Sequence, residues 1–581
     1  MQQRTFTRTD ILAIILVGCM ALFVLRLFWL QVVRHDDYVQ IAKQTQQRSF
    51  VMPAPRGEIY MMDNGKAVPV VLNQTVYTVI ADPEIVKDSD KSKIIAALRE
   101  VASGEMVSSA EELLDKNNSR YEVLARNITR SQAEKLKSKD FSGVGFQRGS
   151  IRSYPEGQLG AQLLGFVNHD GDGQYGVEQQ LQDKLKGRDG LLQSVTDVRN
   201  VPLNVGKDNI RVEPQAGENI VLSVDRNIQS YAEEALKRGV EAAGATNGSV
   251  IVMRPDTGQV LAMADFPSFS PGEYYNVEDP SVFMSGTTLV LHEPASVIKS
   301  FTMAMGIDQG VISPQTVYQN TDCIAVADRT MCNALRGLGG QRTMQDVLSN
   351  SLNVGTITVG RLLGDGQSVN LKARQTMYDY LYEKFGFGKR TGIELAEAKG
   401  IVHRPDTGDG DEVRYSAMTF GQSMNLTMVQ VASAFNSLVN GGNYYRPTVL
   451  AGSVDSEGRA DLPDVQPVRR TVAESTSAQV TQMLVDARRS SWIGASDKPG
   501  YLIGGKTGTA ETVAESGAYT TNETVATYLG FGGSESPEYV IMVRVAAPGK
   551  GLRLAGERHA APIFTDLSNW MIDYMKLAPR R

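Results

Sequence analysis

Ser296 and Lys299 stand three residues apart in "HEPASVIKSF", residues 292–301, just after Pro294. On a helix that spacing puts both side chains on one face, one turn apart. Proline suits a first helical turn, where its missing N–H costs nothing. A serine hydroxyl becomes a nucleophile when a neighbouring base takes its proton, and lysine is such a base once burial or a second cation lowers its pKa. The competing reading is an ordinary helix with a surface lysine, because a Ser-x-x-Lys match also arises by chance in a chain of 581 residues.

Two clusters downstream decide between these readings. "SNSLNVG" carries Ser351 and Asn353, and "GGKTGTAE" carries Lys506, Thr507, Gly508 and Thr509. Ser-x-Asn recurs at "SMN", 423–425, which reads as a loop signal. In acyl transfer Ser296 would attack a carbonyl, Lys299 would take its proton, and Ser351 would relay that proton to the leaving amine. Asn353 suits a hydrogen bond to a substrate amide or to Lys299. Lys506 would hold a carboxylate and help keep nearby lysines neutral, with the Thr507 and Thr509 hydroxyls beside it. Gly508 leaves a strand edge bare, so a substrate can add itself like an extra strand.

The elements that must hold these residues start with an anchor. From Ile11 to Val33 the chain is nearly all apolar, and as a helix it would reach about 34 Å, enough to cross a hydrocarbon layer of about 30 Å. Arg4 and Arg8 precede it, which places residues 1–10 in the cytoplasm and everything after the span outside. Arg26 inside the span either snorkels to the headgroups or meets a partner helix. "LVGC", ending at Cys19, resembles a lipoprotein cleavage site, but the apolar run continues well past it. Outside the cytoplasm, Cys323 and Cys332 are expected to form a disulfide, with two separate buried thiols as the alternative. A net charge of -6 and a pI near 5.7 give no support for nucleic acid as a partner. None of the five histidines pairs with another histidine or a cysteine at metal-ligand spacing, so no metal is expected, and the acyl transfer described above needs no other cofactor.

Residues 34–205 mix strand-like "TVYTVIADP" with helical "SAEELLDKN" and "RSQAEKLKSKD", and read as a support domain. From 206 to 577 the chain reads as a second domain. "IVLSVDRNIQSYAEEALKRGV" predicts a strand and an amphipathic helix, and "GSVIVMRPDTGQVLAMADF" predicts a hairpin about "PDTG". The strand-like "TYLGFGGSESPEYVIMVRVAAP" lies near the end. Strands, then helices, then strands imply a mixed α+β domain whose sheet is closed by both chain ends, with a helical subdomain beside it.

Ser-x-x-Lys, Ser-x-Asn and Lys-Thr-Gly in this order are the motif set of the penicillin-binding proteins and serine β-lactamases. Nearly the whole chain resembles a class B penicillin-binding protein. "PRGEIY" with "DNG" at 55–65, "RSYPEGQLGAQLLGFV" and "DGDGQYGVEQQLQDKLKGRDG" resemble that family's elongated pedestal, or dimerisation, domain. "SVDRNIQ", "TGQVLAMADFPSFSP" and "TFGQSMNLTMVQVASAFNSLVNGG" resemble its transpeptidase core. The resemblance implies a single-pass enzyme of a bacterial cytoplasmic membrane, with a mainly antiparallel sheet in its periplasmic catalytic domain. Such a serine D,D-transpeptidase cross-links peptidoglycan stem peptides ending in D-Ala-D-Ala through an ester on Ser296, and β-lactams stall it there. It also implies an oxyanion hole from the backbone N–H groups of Ser296 and Thr509. The expected partner is a glycan polymerase of the shape, elongation, division and sporulation family. Phe420 before "GQ" favours the septal branch over the elongation branch, and an anchored β-lactamase or a β-lactam-sensing protein are further alternatives. Two departures stand out: Ala295 occupies the place of a glycine before the nucleophile, where it could narrow the pocket, and "YMMDNG" lacks the usual Asp-Arg.

Overall fold

Thr7 starts the N-terminal helix, Arg8–Phe28: its hydroxyl accepts from Asp10 N–H, and the Asp10 carboxylate accepts from Thr7 N–H. A π-helical turn, Trp29–Val33, continues it. Leu12, Ile15, Leu16, Leu22 and Phe23 are all more than half exposed. An all-round apolar helix without protein cover is what a bilayer would solvate. Arg26 lies in its last turn. The structure, a computed structural model, describes residues 7–38, 47–116, 118–195, 210–408, 410–454, 460–461, 465–513 and 519–580. The chain divides into two compact units, Met1–Arg56 with Lys186–Gly217, and Gly57–Leu185 with Glu218–Arg581. Besides the helix, the first unit holds a three-stranded sheet of Gln47–Met52, Gly190–Val195 and Ile210–Val212.

In the second unit, helices Asp88–Ala102 and Arg130–Lys137 bury Ile94, Leu98, Ala133 and Leu136 against Val79, Leu124 and Ile128 of a twisted sheet. "SAEELLDKN" is helical only over Ala110–Leu114. Strand Ile59–Asp63 of that sheet pairs antiparallel with Lys66–Ala81 and, on its other side, parallel with Ile220–Asp225. Ile220–Asp225 pairs in turn with Leu450–Val454. One sheet therefore joins segments on both sides of residue 205. The same two regions meet through a Glu156–Arg226 ion pair at 2.7 Å, a hydrogen bond from Gly160 N–H to Glu233 at 2.7 Å, and the Phe166 ring stacked on Tyr274.

The sheet that carries the site contains β1 (Asn247–Met253), β2 (Val260–Phe266), β3 (Leu502–Val513), β4 (Tyr519–Gly533) and β5 (Pro537–Ala546). Their order is β2–β1–β5–β4–β3, antiparallel throughout, so both chain ends of the domain close it. Helices α1 (Arg226–Ala242), α4 (Met428–Val439), α5 (Glu474–Arg489) and α6 (Ala561–Tyr574) pack on it, while α2 (Lys299–Asp308) and α3 (Asn353–Leu362) lie behind α4 and α5 in the same core. Strand alternation sorts the two cores. Val250, Val252, Ile541 and Val543 pack with α1 and α6, whereas Ile251, Met253, Leu529, Phe531, Val540 and Met542 pack with α2, α4 and α5.

Helix α2 starts later than its sequence implies. Pro294 precedes a 3-10 turn, Ala295–Ile298, and the α-helix begins only at Lys299. Ala295 enters that turn with φ at +57°, a region that costs a residue with a Cβ roughly 1–2 kcal/mol. This is the physical sense of a glycine at the position. Glycine would return roughly 0.5–1 kcal/mol through its greater freedom in the unfolded chain. Ala295→Gly is therefore expected to leave the Tm unchanged or raise it by a few degrees, and Ala295→Val, β-branched, to lower it by more. Thermal unfolding of both variants checks this; a wild-type Tm for Ala295→Val would remove the strain account.

Candidate active site

The nucleophile turn and α2 form one rigid piece. Every residue from Lys299 to Ile307 is buried: α2 is largely apolar, its Ser300 and Thr302 hydroxyls donate to the Val297 and Thr419 carbonyls, and it runs through the core beside α3, α4 and α5. Ser296 itself is half-buried. Gly421 presses on the turn from outside: its carbonyl accepts from Ala295 N–H at 3.0 Å, and a Cβ there would lie 1.9 Å from the Ala295 carbonyl oxygen. Ser423 of the second Ser-x-Asn match lies in the same loop, where its N–H donates to Glu293. It thus buttresses the segment before the nucleophile.

Lys299 is fully buried, and its amine donates to the Ser351 carbonyl at 2.6 Å and to Asn353 Oδ1 at 2.7 Å. Ser351 Oγ lies 3.1 Å from the same nitrogen. The carbonyl and the amide oxygen can only accept, so they take two N–H bonds, and a neutral amine then points its lone pair toward a serine hydroxyl. Burial, and then the charge of Lys506, push the Lys299 pKa well below its ordinary value. These are the conditions under which lysine acts as a base. Ser351 reaches this place through a left-handed backbone, φ +56°, immediately before α3. Asn353 opens α3, and its Nδ2 donates to the Cys332 carbonyl at 2.9 Å. Cys332 lies opposite Cys323 in a two-stranded ribbon, Cys323–Val326 with Arg329–Cys332, and their sulfurs are bonded.

Lys506 comes from β3, the edge strand beside the turn. It is 4% exposed, and burial pushes its pKa down to about 8, with the Glu557 carboxylate acting the other way. Its amine lies 3.3 Å from Thr507 Oγ1. Gly508 has a reason the sequence did not reveal. A Cβ there would lie 2.1 Å from Thr527 Oγ1 and 3.1 Å from the Pro294 carbonyl, so only glycine lets β3 close on the nucleophile segment. Thr509 is exposed, and its hydroxyl accepts from Gly556 N–H at 3.1 Å while keeping its own hydrogen to donate. Hydrogen bonds thus join Lys299, Ser351 and Asn353, the charge of Lys506 acts on the same amine from the edge strand, and Ser296 stands in the turn that leads into Lys299 and α2. Sequence reasoning missed Thr527, Gly556 and Glu557, which belong to no short motif; Gly421 sat unassigned in "TFGQ".

The sequence matches the model of the penicillin binding protein transpeptidase domain over residues 248–569 and that of the penicillin-binding protein dimerisation domain over residues 51–222. Stage V sporulation protein D of Bacillus subtilis is 29% identical over 99% of this chain and 87% of its own length. The peptidoglycan D,D-transpeptidase FtsI homolog of Mesostigma viride is 25% identical over 99% of this chain and 97% of its own. Among solved structures, penicillin binding protein 2X of Streptococcus thermophilus superposes with a TM-score of 0.73 at 22% identity, covering 91% of this chain and 80% of that one. The transpeptidase match alone spans more than half of the sequence: the chain belongs to the penicillin-binding protein transpeptidase family, in the class B arrangement with a dimerisation domain ahead of the catalytic one.

Proposed function

We propose that the chain is a membrane-anchored serine D,D-transpeptidase that cross-links peptidoglycan stem peptides. One observation carries the mechanism: the Lys299 amine is fully buried, bonded among the described residues to neutral oxygens alone and repelled by Lys506. Ser296 Oγ attacks the carbonyl between the two terminal D-alanines and gives its proton to Lys299. Ser351 passes a proton to the departing amine, so one D-alanine leaves and an ester remains on Ser296. The amine of a neighbouring stem peptide then attacks that ester and forms the cross-link. Lys506, Thr507 and Thr509 hold the terminal carboxylate, and the backbone N–H groups of Ser296 and Thr509 stabilise the oxyanion. Because β3 is an edge strand, the donor peptide can pair with it as an added strand. A β-lactam enters as a mimic of the donor and stalls at the ester.

The helix Arg8–Val33 is the membrane anchor, residues 34–205 are the pedestal domain, and the catalytic domain lies outside the cytoplasm. Arg26 contacts a glycan polymerase of the shape, elongation, division and sporulation family, and the enzyme works at the septum. Arg26→Leu is expected to weaken co-purification of the polymerase with acylation unchanged, and a fluorescent fusion to gather at midcell. Undiminished co-purification would favour snorkelling, and a sidewall pattern would favour the elongation branch.

A fluorescent penicillin is expected to form one ester, on Ser296. Ser296→Ala and Lys299→Ala should both label near background, since nucleophile and base act as a unit, and Lys506→Ala should fall between them and wild type. Mass spectrometry of the labelled peptide is the check; an adduct elsewhere, or full labelling of Lys299→Ala, would sink the mechanism. The pH profile has a stated sign. Acylation rises with pH as Lys299 loses its proton, and falls above about 8 as Lys506 loses its charge. Lys506→Arg, whose guanidinium holds its proton more strongly than an amine, is expected to move the alkaline fall to higher pH; a fall that persists unchanged would assign it to another group.

A further inference from the structure

The sheet face that looks toward α2 is mostly apolar, and besides Lys506 it carries a polar cross-strand row. Pairing sets Asp265 of β2 beside Ser249 of β1, Ser249 beside Arg544 of β5, Arg544 beside Thr527 of β4, and Thr527 beside Gly508 of β3. Directly paired residues share a face, so the four side chains form one file across the sheet, ending at the bare glycine of the catalytic edge strand. The segment from Ser285 to Pro294 is joined to this file at both ends. At the outer end the Asp265 carboxylate accepts from Ser249 Oγ at 2.7 Å, Ser285 Oγ at 3.0 Å and Gly286 N–H at 3.0 Å. At the inner end Thr527 Oγ1 occupies the gap between Gly508 and the Pro294 carbonyl, 3.5 Å from that oxygen. Between them stands His292, 6% exposed; burial and then the charge of Arg544 push its pKa down to about 3, with the Val290 backbone acting the other way. Arg544 itself is lowered only to about 10, so it stays cationic, opposed by Asp265.

Buried charges and hydroxyls are a poor way to gain stability, because apolar side chains of similar volume do as well or better. They do fix position, since each hydrogen bond accepts one geometry. We infer that the file Asp265–Ser249–Arg544–Thr527 is a positioning device for the acylation reaction: it pins the segment Ser285–Pro294 to the sheet at both ends and so fixes Ser296 against the Thr509 backbone of β3. These residues touch neither substrate nor reacting atoms. They act through the height and tilt of the nucleophile turn, where misplacement by about 1 Å costs on the order of a hundredfold in rate.

This inference rests on the assignment of Ser296 and Lys299 above. The test measures acylation of the full-length protein by a fluorescent penicillin, separating the rate at saturation from the half-saturating concentration, with the reactive fraction counted by active-site titration. Thr527→Val keeps the shape and removes the hydroxyl; Asp265→Ala removes the outer pin. Both are expected to slow saturated acylation roughly tenfold to a hundredfold per reactive site, with the half-saturating concentration unchanged. Thr527→Ser is expected to restore the rate. Val543→Ala, on the same strand as Arg544 but facing α1 and α6, is expected to lose thermal stability with a wild-type rate per site. Wild-type rates in both Thr527→Val and Asp265→Ala, or losses matched by a fall in the reactive fraction, would overturn the inference and leave the reaction assignment standing. Failure of the wild-type protein to label on Ser296 would remove the assignment instead.

Discussion

A lysine amine buried with no carboxylate in contact among the described residues is the constraint from which the rest of the site follows. Full burial removes the amine from bulk solvent and the oxygens bonded to it are neutral, so the charged form loses far more than the neutral one. The identity of residue 353 matters here. An aspartate in that place would hold the amine as ammonium by a Coulomb term of several kcal/mol even at an effective dielectric of about 20. Asparagine satisfies the N–H without that charge. The apolar, enclosed course of α2 then has a chemical reason as well as a packing one, since any wet face on it would rehydrate Lys299. Lys506 completes the arrangement from the opposite strand by adding repulsion.

The amide of Asn353 must also face the right way, and the ribbon Cys323–Val326 with Arg329–Cys332 provides for that. The Cys332 carbonyl can only accept, so it claims the Nδ2 end and leaves Oδ1 for Lys299. The next residue, Asn333, accepts from Val354 N–H at the first turn of α3 and donates to Asn320. A surface ribbon is thereby tied to the start of the helix that presents the amide.

The chemistry was legible in the sequence because its parts are short. Ser296 with Lys299, Ser351 with Asn353, and Lys506 with Thr507–Thr509 each lie within one turn or one strand edge, and their order along the chain identifies them. The hairpin of β1 and β2 was legible from alternation around "PDTG". The 3-10 start before α2 was not, because a single positive φ at Ala295 leaves no periodic signature. Nor was the file of Asp265, Ser249, Arg544 and Thr527, whose members lie on four strands and are aligned only by register. The parallel pairing of Ile59–Asp63 with Ile220–Asp225 escaped for the same reason: local pattern reports that a segment is a strand, and nothing about which distant segment it joins.

That last feature bears on how the chain comes to be folded at all. Ile59–Asp63 waits for Ile220–Asp225 and, beyond it, Leu450–Val454. Likewise β1 acquires its second neighbour only when β5, starting at Pro537, has been made. At ribosomal speed that interval is on the order of tens of seconds, during which the β1–β2 hairpin carries an open hydrogen-bonding edge and an apolar face without cover. β5 is the middle strand of the catalytic sheet, so without it β3 and β4, which carry Lys506 and Thr527, have no path of strand pairing to β1, and no shorter chain can close the sheet that holds the site.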